Sequence, residues 1–178
     1  AAGRLRARTE VRLGDPGVPG ANPRLTVMPG GNLEVGTPGV ASGTDVPESE
    51  AAPVRIYSPA AIWMTRGTLE ASSVGLLGGS LMGSGSILGS LYLREGSLGV
   101  LPLGAPESGP MLDVHGAFSM CKYGNMVLPL VYSTSPQAGF RTAPLNVTGA
   151  MRFLGGSLSV LLDYPEGTDL ETVLVDGD

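Results

Sequence analysis

The sequence predicts an all-β protein: a β-sandwich or jelly-roll-like domain with an extended Pro/Gly-rich N-terminal arm. Short runs alternate apolar and polar residues with period two, while the 3.6-residue period of an amphipathic helix is nearly absent. Gly, Pro or Ser separates these runs at roughly 8–12-residue intervals, the spacing of sandwiches and barrels. Finally, 28 Gly and 15 Pro stand beside a hydrophobic content of 42% and a charged content of 15%. Disordered chains are charged and poor in apolar residues, so this composition fits an ordered, turn-rich protein.

The elements follow in order. Leu5, Ala7, Thr9, Val11 and Leu13 alternate with Arg4, Arg6, Arg8, Glu10 and Arg12, which reads as one half-buried strand with a basic outer face. Turn chemistry fills 14–20. Leu25 to Val35, with Pro29-Gly30-Gly31-Asn32 at its centre, reads as a short hairpin. Residues 37–53 are Pro, Gly, Ser and acid without periodicity, so 1–53 is expected to form a strand and an extended arm, and 54–178 the β-domain. Strands are predicted over 54–57, 61–65, 76–81, 87–94, 98–103, 111–114, 117–122, 126–132, 145–153 and 157–164. Only 168–175 has a pattern that suits a turn or two of helix.

One run stands apart. Residues 71–93 carry no charge and read ASSVGLLGGSLMGSGSILGSLYL, with Gly-Ser-Leu/Ile recurring at Gly79, Gly85, Gly89 and Gly96 and again at Gly156. A helix of this composition would lose too much backbone entropy. Gly75, Gly79 and Gly83 have the four-residue spacing of packed membrane helices, yet twelve of the 23 residues are Gly or Ser, which disfavours membrane insertion. The run therefore reads as closely packed sheet near a subunit contact, with Leu81, Ile87, Leu91 and Leu93 buried.

Charge is unevenly placed. The formal net charge is −5. Residues 1–12 hold four arginines against Glu10, whereas 163–178 hold six acids and no base. Such asymmetry favours head-to-tail contacts between copies, or contacts between the ends of one copy. Arg4, Arg6, Arg8 and Arg12 are the candidate interface residues. Basic arms also bind nucleic acid, but four arginines without interleaved aromatics, on an acidic chain, disfavour that partner. The chain begins without methionine, as a processed product or fragment does, and shows no signal-peptide pattern.

Catalytic and metal-binding vocabulary is sparse. Cys121 stands alone, which excludes an intrachain disulfide and a multi-cysteine metal site; a lone cysteine is expected to be a small buried hydrophobe. His115 is the single histidine, two residues from Asp113, and reads as structural or surface rather than as part of a triad. Gly83-Ser84-Gly85-Ser86-Ile87-Leu88-Gly89 places its last glycine one residue too late for a dinucleotide fingerprint. Lys122, the only lysine, is followed by Tyr123, so no Walker loop exists. Carboxylates at Asp163, Glu166 and Asp169 lack the EF-hand pattern. Asn146-Val147-Thr148 is a glycosylation sequon only on a secretory route. No enzyme and no cofactor are expected.

Two stretches resemble adenovirus-type fibre proteins. Residues 25–35, LTVMPGGNLEV, are similar to a shaft repeat of strand, Gly/Pro turn and strand; 79–101, GSLMGSGSILGSLYLREGSLGVL, looks like a fibre-head segment. The resemblance implies a trimeric β-sandwich head on a virion, used for attachment to a host receptor. More broadly, the sequence leads us to expect a structural component of a virus or phage particle: a capsid decoration or cement protein, a fibre or a shell protein. Its partners would be copies of itself and other particle proteins. The alternatives are a β-sandwich binding module for carbohydrate or a cell surface, and a β-rich hydrolase.

Overall fold

The computed structural model describes residues 3–7, 10–14, 23–35, 52–101, 111–133, 139–140 and 145–163. Its strands are β1 (Arg4–Ala7), β2 (Val11–Leu13), β3 (Arg24–Val27), β4 (Asn32–Val35), β5 (Val54–Tyr57), β6 (Ala61–Val100), β7 (Leu112–Val114), β8 (Phe118–Ser133), β9 (Gly139–Phe140), β10 (Leu145–Val147), β11 (Met151–Phe153) and β12 (Ser157–Asp163). No helix occurs among the described residues, so the protein is all-β.

The forty residues of β6 do not run straight, which would need roughly 130 Å at ~3.3 Å per residue. They wind. The Ser80 amide donates to the Ala60 carbonyl at 3.0 Å and the Leu101 amide to the Gly83 carbonyl at 2.9 Å. Gly89 lies against Ala71, and Gly96 against Gly79. The chain therefore passes over itself every seventeen to twenty residues and adds one layer per pass, as a β-solenoid does.

The remaining pairs extend the same stack in both directions. β4 pairs with β1 on one side and with 68–71 of β6 on the other. β5 lies between β2 and 74–78, and β3 pairs with 61–64. On the far side β7 and β8 pair with β6, and β10, β11 and β12 close the stack on β7 and β8. All these pairs are parallel; the β8–β9 hairpin, with Tyr132 opposite Phe140, is antiparallel.

Among the described residues the result is three columns of strands and six coils, the first being β1, β2 and β3 and the last β10, β11 and β12. A sandwich or jelly roll is built from antiparallel sheets packed face to face; here consecutive strands lie side by side only after a full turn. This pairing also corrects the expected hairpin. β3 and β4 flank a turn, yet each pairs in parallel with β6 rather than with the other. The expected boundary at 53 does not separate two packing units either, because Val27, Leu33 and Val35 belong to the same core as Ile62 and Leu69. Residues 36–51, the heart of the expected arm, lie outside the described residues, as do 168–175.

Side chains that point inward stack in ladders through the coils. Leu33, Leu69, Ile87 and Val114 lie in one column, Ile56, Leu76, Leu93 and Met120 in the second, Ile62, Leu81, Leu98 and Met126 in the third, and all are buried. Each such burial contributes about 1.5–3 kcal/mol. Leu81, Ile87, Leu91 and Leu93 are all at 0% exposure, as their place in the glycine-rich run implied.

The Gly-Ser-Leu unit now has a mechanical reading. Glycine turns the corner, serine faces outward, and the aliphatic residue enters the core. Gly89 and Gly96 have φ of +156° and +92°, values that side chains disfavour. A Cβ at Gly89 would also drive into the Ala71 carbonyl oxygen, and one at Gly96 into that of Gly79. The serine after Gly89 ties adjacent coils together: Ser90 Oγ accepts a hydrogen bond from the Ala117 amide at 3.2 Å.

Candidate self-association surfaces at the two ends

A solenoid hides its strand edges everywhere except at its ends. Within the described residues β1, β2 and β3 each have a strand partner on one side only, and so do β10, β11 and β12. Side chains that would enter the core of a neighbouring coil are left open there. At the C-terminal end Phe153, Leu158, Val160 and Leu161 are 52%, 52%, 48% and 52% exposed. Met151 and Leu154 are exposed beside them. Phe153 keeps one partner, an edge-to-face contact with Phe118 at 5.9 Å.

The N-terminal end is smaller and more charged. Leu5 is 57% and Met28 59% exposed, and a groove of about 400 Å³ runs between β1, β3 and β4, lined by Leu5, Leu25, Val27, Met28 and Leu33. Arg4 and Arg6, exposed on β1, both reach Glu34 on the next coil, Arg6 at 3.0 Å. Arg12 meets Glu10 at 3.1 Å, and Glu10 also pairs with Arg55. The candidate arginines thus sit on the outermost coil, and internal glutamates partly neutralise them. Arg8 lies outside the described residues. The single basic strand expected over 4–13 is two strands, β1 and β2, which belong to different columns because they pair with β4 and β5 respectively.

Other chemistry-bearing groups are placed as follows. His115 Nε2 and Asp113 Oδ2 are 2.9 Å apart on the outer surface, and Asn146 Nδ2 donates to Asp113 Oδ1 at 2.8 Å. This engages the carboxylate and the sequon amide in a ladder across coils, in which Ser86 of β6 is the register neighbour of Asp113. Cys121 is free and half-buried rather than buried. Trp63 is covered by the Arg24 guanidinium, 4.2 Å from the ring centroid, so its face is occupied. Among the described residues no group of three His, Cys, Asp or Glu side chains converges as a metal site, and no helix is long and apolar enough to cross a membrane.

The C-terminal surface was not among the candidates from sequence. The repeat of Gly-Ser-Leu at 79, 96 and 156 carried the signal, since a coil that recurs must also end. Comparison with protein-family models, curated proteins and solved structures returned no match.

Proposed function

We propose that this protein is a non-enzymatic structural component that self-associates through the ends of its solenoid and reinforces an assembled particle. One observation carries the reading: among the described residues both terminal coils consist of parallel strands paired on one side only, and large apolar side chains stand exposed there. Open strand edges are aggregation hazards that isolated proteins usually block with charge, proline or a covering segment. An apolar end such as Phe153 to Leu161 gains stability when covered, at about 25 cal/mol per Å² of apolar surface removed from water.

In this reading the particle is that of a virus or phage, and the chain serves in it as a fibre, decoration or shell element. Its partners are copies of itself and adjacent particle proteins. The trimer, and attachment to a host receptor, follow from the fibre-like resemblance of 25–35 and 79–101 alone. The carbohydrate-binding alternative would rest on an exposed ring such as Tyr123 or Phe153, since Arg24 covers one face of Trp63, and the hydrolase alternative on His115, whose Nε2 pairs with Asp113.

Size-exclusion chromatography with light scattering on the full chain tests the proposal. Species larger than the 18.1 kDa chain, growing with concentration through the micromolar range, are expected. A strict monomer throughout that range contradicts it.

A further inference from the structure

We infer that copies of this chain stack head to tail, the first coil of one on the last coil of the next, as an open polar rod. The inference rests on the self-association reading above and adds partner, polarity and register.

Three observations fix the arrangement. The first is direction. The three columns run parallel from the first coil to the last. Only head-to-tail stacking continues that pairing across the junction, setting β1 over β10, β2 over β11 and β3 over β12. Head-to-head or tail-to-tail contact makes the junction antiparallel and ends the parallel, in-register stacking of the columns.

The second is side-chain continuity. Within the chain, Leu33 stacks on Leu5 and Val147 on Val114; Ile56 stacks on Leu13 and Phe153 on Met120; Ile62 stacks on Leu25 and Leu158 on Met126. A second copy therefore places Leu5 over Val147, Leu13 over Phe153 and Leu25 over Leu158, apolar on apolar in all three columns. Arg12 falls above Arg152 in this register, as it already falls above Arg55 within the chain. Within the chain Glu10 bridges Arg12 and Arg55.

The third is charge. Residues 1–12 carry a net +3, whereas 163–178 carry six acids and no base. Two first coils facing each other would set the exposed Arg4, Arg6 and Arg12 against their own copies, a like-charge contact that head-to-tail stacking avoids. A heterologous contact of this kind does not close on itself, so it produces a filament rather than a ring. Six coils at about 4.8 Å each give an axial repeat of roughly 29 Å per copy.

Two blocked variants test the polarity. Leu5→Lys obstructs the N-terminal coil, and the pair Leu158→Lys with Val160→Lys obstructs the C-terminal coil. All three side chains are about half exposed, and circular dichroism checks that each variant keeps its β spectrum. Sedimentation velocity is expected to find each variant monomeric alone and a 1:1 dimer on mixing, joined through the two unblocked ends. Electron microscopy of the unmodified chain should show rods with the ~29 Å repeat.

Persistent dimers of Leu5→Lys alone would show tail-to-tail contact and overturn the inference; persistent dimers of the Leu158/Val160 variant alone would show head-to-head contact and overturn it equally. If both variants assemble as the unmodified chain does, association is lateral: the end-stacking falls and the structural reading stands. If the unmodified chain is monomeric, both fall. Should a lysine variant fail to fold, Leu5→Cys with Val147→Cys replaces it. These positions lie at opposite ends of one copy, five coils apart, so an intermolecular disulfide ladder under oxidation supports the register, and its absence under conditions where rods form contradicts it.

Discussion

Leu98 and Leu158 occupy the same position in the same column, separated only by Met126, yet the first is fully buried and the second 52% exposed. Both follow a Gly-Ser corner, and both point toward the solenoid axis. The difference lies in what covers them: among the described residues Leu98 has a coil on either side, and Leu158 has one. In a solenoid, burial depends less on a residue's own pattern than on the presence of the next coil. A protein of this design covers its middle coils on both sides and, among the described residues, its end coils on one.

The comparison breaks most completely at a corner. Gly89→Val is expected to abolish folding or to cost at least about 4 kcal/mol, because the side chain meets the Ala71 carbonyl and φ there is unfavourable for it. Urea unfolding followed by circular dichroism measures the loss. Next comes the column itself. Leu98→Ala should destabilise the isolated chain by about 2–5 kcal/mol, and Leu158→Ala by less than about 1 kcal/mol under the same dilute conditions. Equal losses at the two positions would mean that Leu158 is covered in the monomer.

Smaller effects sharpen the contrast at the N-terminal end. Glu34→Gln removes the shared partner of Arg4 and Arg6. Exposed pairs of this kind contribute about 0–1 kcal/mol, and the loss should shrink further in high salt. Arg24→Ala uncovers Trp63; it is expected to cost about 0.5–1 kcal/mol and to shift the tryptophan fluorescence to longer wavelength.

Much of this fold could be read from the sequence, and the reason it stopped where it did is physical. Period-two alternation located the strands over 54–57, 61–65 and 87–94, and predicted that Leu81, Ile87, Leu91 and Leu93 enter the core. Alternation is identical in parallel and antiparallel sheets, however, because it reports which face a side chain takes and not which strand lies beside it. The partner was encoded at longer range, in the seventeen-residue step from Gly79 to Gly96 and the eighteen-residue step from Ala71 to Gly89. Segments such as 36–51 and 102–110 interrupt that period elsewhere, so the chain does not look like a repeat from end to end. The same local logic turned Leu25–Val35 into a hairpin, although its turn is a corner between two columns.

The arginines were singled out from charge alone; of them Arg4, Arg6 and Arg12 lie on the first described coil. The apolar C-terminal end was missed because Leu158 and Val160 have the sequence pattern of core residues. Nothing in a single strand says whether another coil covers it. Only the count of coils does.

Hydrogen exchange measured below and above the concentration at which the protein assembles tests this account most directly. Amides in 61–100 should exchange slowly at both concentrations, since those coils are covered on both sides. Protection that rises with concentration should be confined to β1, β2 and β3 at one end and β10, β11 and β12 at the other. Protection that does not change on assembly, or that grows instead on the outward faces of the middle coils, would contradict it.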